Sequence, residues 1–193
     1  MVSEKDRPSW DEYFMLNALL ISTRASCLHL KNGAVIVNKD KRIIAAGYNG
    51  APSGIKNCLE VGCNKNKFGV SFEEKGKGLC RGNHAEYNAL SQVGRDELKG
   101  TSIYTLYYPC SACAKQIIGS GIRRVVYANE YEEQNSIVKQ LFREAGMERI
   151  IPGIDSDNRG YLPNELPETE GVFKLRLNKE RLLSIINYAL LKI

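Results

Sequence analysis

The feature that most constrains the fold is a set of metal-binding side chains in two separate segments, His84-Ala85-Glu86 and Pro109-Cys110-Ser111-Ala112-Cys113. The two cysteines are three positions apart, so in a helix they lie on one face and can bind the same ion. Proline is well tolerated at a helix start, where its missing N–H would have no partner. For the imidazole to join the two thiols, the chain must bring the starts of two helices together.

These segments supply one imidazole, two thiolates and one carboxylate. Catalytic zinc sites hold the ion with three such protein ligands and keep the fourth position open for water. Bound zinc lowers the pKa of that water from about 15.7 towards about 7, which supplies a zinc-bound hydroxide at neutral pH. The pattern therefore predicts His84, Cys110 and Cys113 as zinc ligands, with Glu86 as the acid/base that shuttles protons.

Each half of the pattern has a plainer interpretation when it stands alone. A Cys-x-x-Cys pair is more often a structural zinc site or a redox pair, and a His-x-Glu pair is common without function. The ordered combination, with proline before the first cysteine, is the arrangement of zinc-dependent base deaminases. A purely structural zinc site remains the alternative.

Composition limits the class of protein. The chain has 193 residues, of which 43% are hydrophobic and 25% charged, as expected for one globular domain. Its apolar runs are too short to cross a bilayer, and the charged N-terminus lacks the apolar core of a secretory signal. We therefore predict a cytoplasmic protein with reduced cysteines and no membrane partner. The net charge of +5 suits a phosphorylated ligand but is scattered, so no nucleic-acid partner is predicted.

Periodicity and turn residues predict an alternation of helices and strands. Ser9 and Glu12 form a capping box before an apolar run. The predicted helices cover 10–27, 84–93, 110–119 and 132–145, and the predicted strands cover 33–37, 42–46, 102–107, 123–127 and 148–151. This order predicts an α/β fold, a three-layer α/β/α sandwich around a five-stranded mixed sheet. Residues 55–83 are predicted to be a long functional loop, and 175–193 to contain an amphipathic helix.

The chain resembles the deoxycytidylate (dCMP) deaminases of the cytidine deaminase-like superfamily over about residues 7–151. The blocks that carry the resemblance are Trp-Asp-Glu-Tyr-Phe-Met at 10–15, Gly-Ala-Val-Ile-Val at 33–37, Gly-Tyr-Asn-Gly-Ala-Pro-Ser-Gly at 47–54, His-Ala-Glu-Tyr-Asn-Ala at 84–89 and Gly-Ser-Gly-Ile at 119–122. The block at 47–54 points to deoxycytidylate. The resemblance implies a zinc-dependent nucleotide deaminase domain at 1–151 and a C-terminal extension at 152–193 that packs on the core or on a neighbouring subunit.

The resemblance implies hydrolysis of dCMP to dUMP and ammonia, which supplies dUMP for thymidylate synthesis. It assigns the Ala85 N–H to the pyrimidine carbonyl, Asn49 to the sugar hydroxyl and Arg24 to the phosphate. Tyr108 is a candidate for stacking on the base. Each has an alternative: a turn asparagine for Asn49, a helix-end or solvated arginine for Arg24, and simple packing for Tyr108.

Further properties are implied only by the resemblance. Cys58, Cys63 and Cys80, with Cys27 or His29, would bind a second, structural zinc, as in some members; reduced, partly buried thiols are the alternative. Members are commonly homohexamers that are activated by dCTP and inhibited by dTTP, each with Mg²⁺.

Three competing functions use the same residues. The substrate could be another cytosine nucleotide, such as dCTP or a modified dCMP. It could instead be adenosine in tRNA, although that needs a basic, aromatic surface for the strand. A non-catalytic zinc interaction module is the third, and it would leave Glu86 without a purpose.

Overall fold

The computed structural model describes residues 7–71, 78–130, 135–147, 171–174 and 179–190. The elements in these ranges are α1 (Trp10–Ser22), β1 (Gly33–Val37), β2 (Ile43–Tyr48), α2 (Cys58–Val61), α3 (Asn64–Lys67), α4 (Ala85–Leu90), α5 (Arg95–Leu98), β3 (Ser102–Tyr107), α6 (Ser111–Ser120), β4 (Arg124–Asn129), α7 (Asn135–Glu144), β5 (Gly171–Lys174) and α8 (Lys179–Leu190). None of the described helices is long and apolar enough to cross a membrane.

The five strands form one mixed sheet in the order β2-β1-β3-β4-β5. Strand β1 pairs antiparallel with both β2 and β3, whereas β3, β4 and β5 run parallel. Parallel neighbours need crossover connections, and helices supply them on the faces of the sheet. The prediction of an α/β fold around a five-stranded mixed sheet is confirmed.

Two apolar clusters lie on opposite faces of the sheet and define the three layers. One cluster joins Phe14 and Met15 of α1 to Val35. The other joins Ile36 to Ile117 of α6 and to side chains of α4 and α7. Because successive residues of a strand point to opposite faces, Val35 and Ile36 each serve one layer.

Two glycines on neighbouring strands let a helix approach each face closely. A Cβ atom at Gly33 would lie 2.1 Å from the carbonyl oxygen of Ala18 in α1. A Cβ atom at Gly47 would lie 2.3 Å from the carbonyl oxygen of Ala85 in α4. Only glycine permits such contact between backbones. Gly47 thus seats the helix that begins next to His84 directly on the sheet.

Helix α1 is shorter than predicted. The capping box of Ser9 and Glu12 is present, but the helix ends at Ser22 and not near residue 27. The hydroxyls of Ser22 and Thr23 donate to the carbonyls of Leu19 and Leu20. The backbone hydrogen bonds of this last turn join residues three positions apart, as in a 3₁₀-helix. These bonds satisfy the terminal carbonyls and stop the helix. Cys27 therefore lies in the loop that follows.

The second strand and the long loop also differ from the prediction. Strand β2 begins at Ile43 because the backbone N–H of Arg42 is bonded to the Asn38 side chain in the hairpin turn. The strand continues through Tyr48 and so includes the first two residues of the block at 47–54, which we call the Gly-rich block. Within the predicted loop 55–83, the chain forms the short helices α2 and α3.

The C-terminal region contributes to the sheet. The predicted strand at 148–151 lies outside the described residues, and the fifth strand is β5, which pairs with β4. The predicted amphipathic helix is present as α8. Its Arg181 forms a two-pronged ion pair with the buried carboxylate of Glu12 in α1. This region therefore contacts the core at two places.

Candidate active site

The metal-binding side chains of the sequence pattern meet at two helix starts. His84 is the N-cap residue of α4, and Cys110 is the N-cap residue of α6 directly after β3. Both lie one position before the first helical residue, so each predicted helix begins slightly later than expected. Helix α4 contacts α6 on one face of the sheet, which brings the two starts together.

The three donor atoms form a compact group. The Nδ1 atom of His84 lies 3.4 Å from the Sγ of Cys110 and 3.5 Å from the Sγ of Cys113. All three donor atoms lie within 4.8 Å of one another, and no other triple of His, Cys, Asp or Glu donors among the described residues does so. An imidazole and two sulfurs at this spacing fit the donor set of zinc.

The two thiols of this group differ in proton affinity because they share a hydrogen bond. Donation from Cys113 lowers the pKa of Cys110 to about 3, with a further contribution from His84. The same hydrogen bond, together with burial, raises the pKa of Cys113. The shared hydrogen bond therefore favours the thiolate at Cys110 and the protonated thiol at Cys113. Metal ions bind thiolates and displace such protons.

Glu86 lies in the first turn of α4, beside the donor group, and is 3% exposed. Burial raises the pKa of its carboxyl to about 7, although the positive charge of His84 opposes the shift. A carboxyl with a pKa near the working pH can both accept and donate a proton. The structure thus brings Glu86 to the three metal donors, as the pattern predicts.

A cavity of about 480 Å³ opens onto this group. Its lining includes His84, Glu86 and Cys110, and also Asn49 and Gly50 of the Gly-rich block. Gly50 is joined to Asn83 by two backbone hydrogen bonds of 2.9 and 3.2 Å, which hold the block against the segment before α4. The volume suits a small organic ligand.

Two residues predicted to contact the substrate are bonded to each other. The backbone N–H of Ala85 donates to Oδ1 of Asn49 at 3.0 Å. The side-chain nitrogen of Asn49 donates to the carbonyl of Leu30 at 3.2 Å. Both ends of the Asn49 amide therefore have partners in the protein. A ligand that uses Ala85 or Asn49 has to exchange these bonds.

The structure separates Arg24 from this cavity. Arg24 lines a neighbouring polar pocket of about 350 Å³, together with Lys31 and residues of the Gly-rich block. Helix α1 ends before Arg24, so this residue belongs to the loop that follows and not to the helix. Its predicted phosphate contact stays a prediction, and the geometry does not place it beside Glu86.

Tyr108 lines the cavity but is 5% exposed and belongs to the core. Its ring meets Tyr127 edge-on at 4.8 Å between centroids, and Phe142 at 6.2 Å. This packing favours a structural role for most of the ring, while its cavity edge stays available to a base.

Three cysteines of the long loop line the same cavity together with Cys27. Cys27, Cys58, Cys63 and Cys80 all line it, as does His29. Burial raises the pKa of Cys58, and charge at Cys63, Cys27 and Cys80 raises it further, while Arg81 lowers it. The four thiols are thus neighbours, but no three of them reach the 4.8 Å spacing of the first group.

The cavity also contains residues that the sequence did not reveal. Asn32, directly before β1, is 4% exposed and lines the cavity close to Glu86. Tyr107 lines it as the last residue of β3. An asparagine before a strand has no distinctive sequence pattern, so only packing could identify it.

The fold and the site together define a class of protein. An α/β/α sandwich with one imidazole and two thiols at converging helix starts, beside a buried glutamate, is the arrangement of zinc-dependent base deaminases. The model of the cytidine and deoxycytidylate deaminase zinc-binding region matches residues 8–129. The chain belongs to this family, which confirms the resemblance and supports zinc as its metal.

Known proteins similar to the chain agree with this assignment. The deoxycytidylate deaminase of Mycobacterium phage D29 is 43% identical over 128 residues, covering 64% of this chain and 98% of the phage protein. ComE operon protein 2 of Bacillus subtilis is 38% identical over 144 residues, covering 74% and 70%. The crystal structure of dCMP deaminase from cyanophage S-TIM5, in complex with dCMP and dUMP, has a TM-score of 0.61 at 25% identity and covers 88% and 98%.

Proposed function

We propose that the chain is a deoxycytidylate deaminase that converts dCMP and water into dUMP and ammonia. The observation that carries the proposal is the presence of a buried acid/base, Glu86, beside a His–Cys–Cys donor group in a cavity of ligand size. The similar proteins named deoxycytidylate deaminase support the choice of nucleotide. The product would serve thymidylate synthesis.

His84, Cys110 and Cys113 would hold the zinc ion. When bound there, zinc supplies Lewis acidity that lowers the pKa of water towards about 7. The two thiolates at the start of α6 and the imidazole at the start of α4 satisfy the charge and number of protein ligands that a catalytic zinc needs. The carboxyl group of Glu86 would then take part in proton transfer. A purely structural zinc site would need no such group.

Glu86 would carry out the proton transfers. As a carboxylate it accepts a proton from the attacking water, and as an acid it delivers that proton to the ring nitrogen of the base. It then accepts the second proton, from the hydroxyl group now attached to the ring carbon, and passes it to the amino group, which leaves as ammonia while that carbon becomes the carbonyl of dUMP. Its pKa near 7 suits both roles at neutral pH. Its burial keeps bulk water from competing for the proton.

Asn49 and Ala85 would orient the nucleotide. The hydrogen bond from the Ala85 N–H to Oδ1 of Asn49, a residue of the cavity lining, supports this role. A pyrimidine carbonyl replacing Asn49 as the acceptor would leave the asparagine free to meet the sugar hydroxyl. Tyr108 would contribute a ring edge beneath the base, and Arg24 would contact a phosphate.

Further proposals concern the remainder of the chain. Cys27, Cys58, Cys63 and Cys80 would bind a second, structural zinc, which is supported by their place in the lining of one cavity and by the effect of the other three thiols on Cys58. Effector binding of dCTP or dTTP with Mg²⁺ is supported by the cationic lining of the pocket that holds Arg24. A homohexamer and a cytoplasmic location rest on the family alone.

We also propose that residues 1–151 form the deaminase domain and that 152–193 are a C-terminal extension that packs on the core or on a neighbouring subunit. The pairing of β5 with β4 and the ion pair between Arg181 and Glu12 support this arrangement.

Ammonia release tests the function. The zinc-loaded protein is assayed with dCMP, CMP, deoxycytidine, dCTP and a tRNA anticodon stem, each with and without dCTP–Mg²⁺. We expect turnover of dCMP and a stimulation by dCTP. Turnover confined to the tRNA stem, or none on any substrate by fully zinc-loaded protein, would contradict the proposal.

A further inference from the structure

We propose that Asn32 is a positioning residue for Glu86, whose carboxylate it orients for proton transfer through an amide clamped to strand β3. The inference rests on the proposed function, because it concerns the acid/base of that reaction. It assigns a role to a residue outside the zinc pattern and the Gly-rich block.

The contact joins buried polar groups at the cavity wall. Asn32, Thr105 and Glu86 are 4%, 0% and 3% exposed. The side-chain nitrogen of Asn32 lies 3.4 Å from Oε2 of Glu86 and 3.2 Å from the hydroxyl oxygen of Thr105. Buried polar groups are costly unless they are hydrogen-bonded, so these partners constrain one another.

The orientation of the Asn32 amide follows from its other end. The backbone N–H of Leu106 donates to Oδ1 of Asn32 at 3.1 Å. An N–H group needs an acceptor, so the oxygen of the amide faces β3 and the NH₂ group faces Glu86. Exchanging the two ends would set donor against donor at Leu106. The amide therefore presents a donor, and not an acceptor, to the carboxylate.

The residues that hold the Asn32 amide belong to the sheet. Asn32 immediately precedes β1, and Thr105 lies opposite Ala34 in the pairing of β1 with β3. The Thr105 hydroxyl also lies 3.3 Å from Oδ1 of Asn32, so it contacts both ends of the amide. Groups that hold a catalytic side chain are effective when sheet or helix packing fixes them. Glu86 lies on α4, so the contact ties that helix to the start of β1 and to the central strand β3.

The distance of 3.4 Å is longer than most N–H···O hydrogen bonds. Hydrogen bonds among catalytic groups in free enzymes are often long and tighten when the substrate complex forms. A carboxylate that must reach the water, the ring nitrogen and the leaving amino group needs one stable orientation. Misplacement by about 1 Å can cost about 100-fold in rate.

A merely structural Asn32 would satisfy the Leu106 N–H and do nothing for turnover. Its loss would then lower stability, zinc content or dCMP affinity and leave kcat unchanged. A positioning role predicts the opposite result: replacing Asn32 lowers kcat, while KM and zinc content stay the same.

The test compares steady-state kinetics and zinc content of Asn32→Ala with those of the wild type on dCMP. We expect kcat to fall about 10- to 100-fold, with KM within about twofold and full zinc loading. The matched pair Thr105→Val and Thr105→Ser covers the case in which Asn32→Ala does not fold. Valine keeps the shape without the hydroxyl, so it should lower kcat several-fold more than serine, which keeps the hydroxyl.

Thr101→Val is the control, because Thr101 is a buried threonine before the same strand whose hydroxyl bonds only locally to the Leu98 carbonyl. It should lower the melting temperature without lowering kcat. Wild-type kcat in zinc-loaded Asn32→Ala, or Thr105→Val as active as Thr105→Ser, would overturn the inference. A wild-type protein inactive on dCMP would instead contradict the proposed function.

Discussion

Two groups of cysteines face the same cavity, and they differ in how the fold holds them. Cys110 and Cys113 are buried at the start of α6, directly after a central strand. Cys27, Cys58 and Cys63 are half-buried and Cys80 is exposed, all of them in loops or four-residue helices. Only the first group, with His84, has three donors within 4.8 Å among the described residues.

The difference shows what prepares a metal site. A strand and a helix packed in the core fix the positions of donor atoms before any ion binds, so little ordering remains to oppose binding. Loop cysteines have to be drawn together at a cost in conformational entropy, which the metal must offset. The first group is therefore suited to hold a reactive ion in a defined geometry. The second is suited to order its own loop.

The largest expected effect comes from breaking the first group. Cys113→Ser removes one of three ligands from a site that the core has fixed, so we expect loss of the zinc held there and turnover reduced to background. Metal analysis of the purified protein and ammonia release measure the two effects. Full activity without that zinc would contradict the assignment of the ligands.

Glu86→Gln separates chemistry from metal binding within the same group. The amide has the size of the carboxyl but cannot accept and return a proton, so we expect turnover to fall by about 10²- to 10⁴-fold with zinc content unchanged. Single-turnover kinetics on dCMP and metal analysis provide the measurements. A Gln variant that retains wild-type turnover would show that another group transfers the proton.

Cys58→Ser tests the loop group and is the matched control for Cys113→Ser. If this group holds the second zinc, the variant contains one zinc fewer per chain than the wild type. Because these cysteines are not part of the His84, Cys110 and Cys113 donor group, we expect kcat to stay within about threefold and the melting temperature to fall. Equal zinc content in Cys58→Ser and the wild type would mean that the loop thiols bind no zinc.

The smallest expected effect concerns the loop helix α2. The side chain of Asn57 accepts a hydrogen bond from the backbone N–H of Leu59, and the side chain of Glu60 accepts one from the backbone N–H of Asn57. Replacing Asn57 by Ala removes this cap at a cost of about 0.5–2 kcal/mol. We expect faster hydrogen exchange at 58–62 and little change in global stability. Uniformly faster exchange across the sheet would indicate that the loop and the core unfold together.

Local patterns explain most of what could be predicted about the fold. The capping box at Ser9, the apolar run of 33–37 and the short spacing of Cys110 and Cys113 each act within one element. The predicted end of α1 near residue 27 was wrong. The helix ends earlier because the hydroxyls of Ser22 and Thr23 bond to backbone carbonyls that further helical N–H groups would otherwise use. The strand β5 lies beyond the segment in which a last strand was predicted, since edge pairing depends on distant parts of the chain.

The sequence by itself determined which side chains form the donor group, which carboxyl accompanies them and how helices and strands alternate, because these depend on residue type and short spacing. Tertiary structure alone decided which distant groups meet. It joined Ala85 to Asn49, moved Arg24 to a neighbouring pocket and set Asn32 against Glu86. The physical reason is that such contacts depend on how helices seat on the sheet, as at Gly47, and no spacing along the chain encodes that approach.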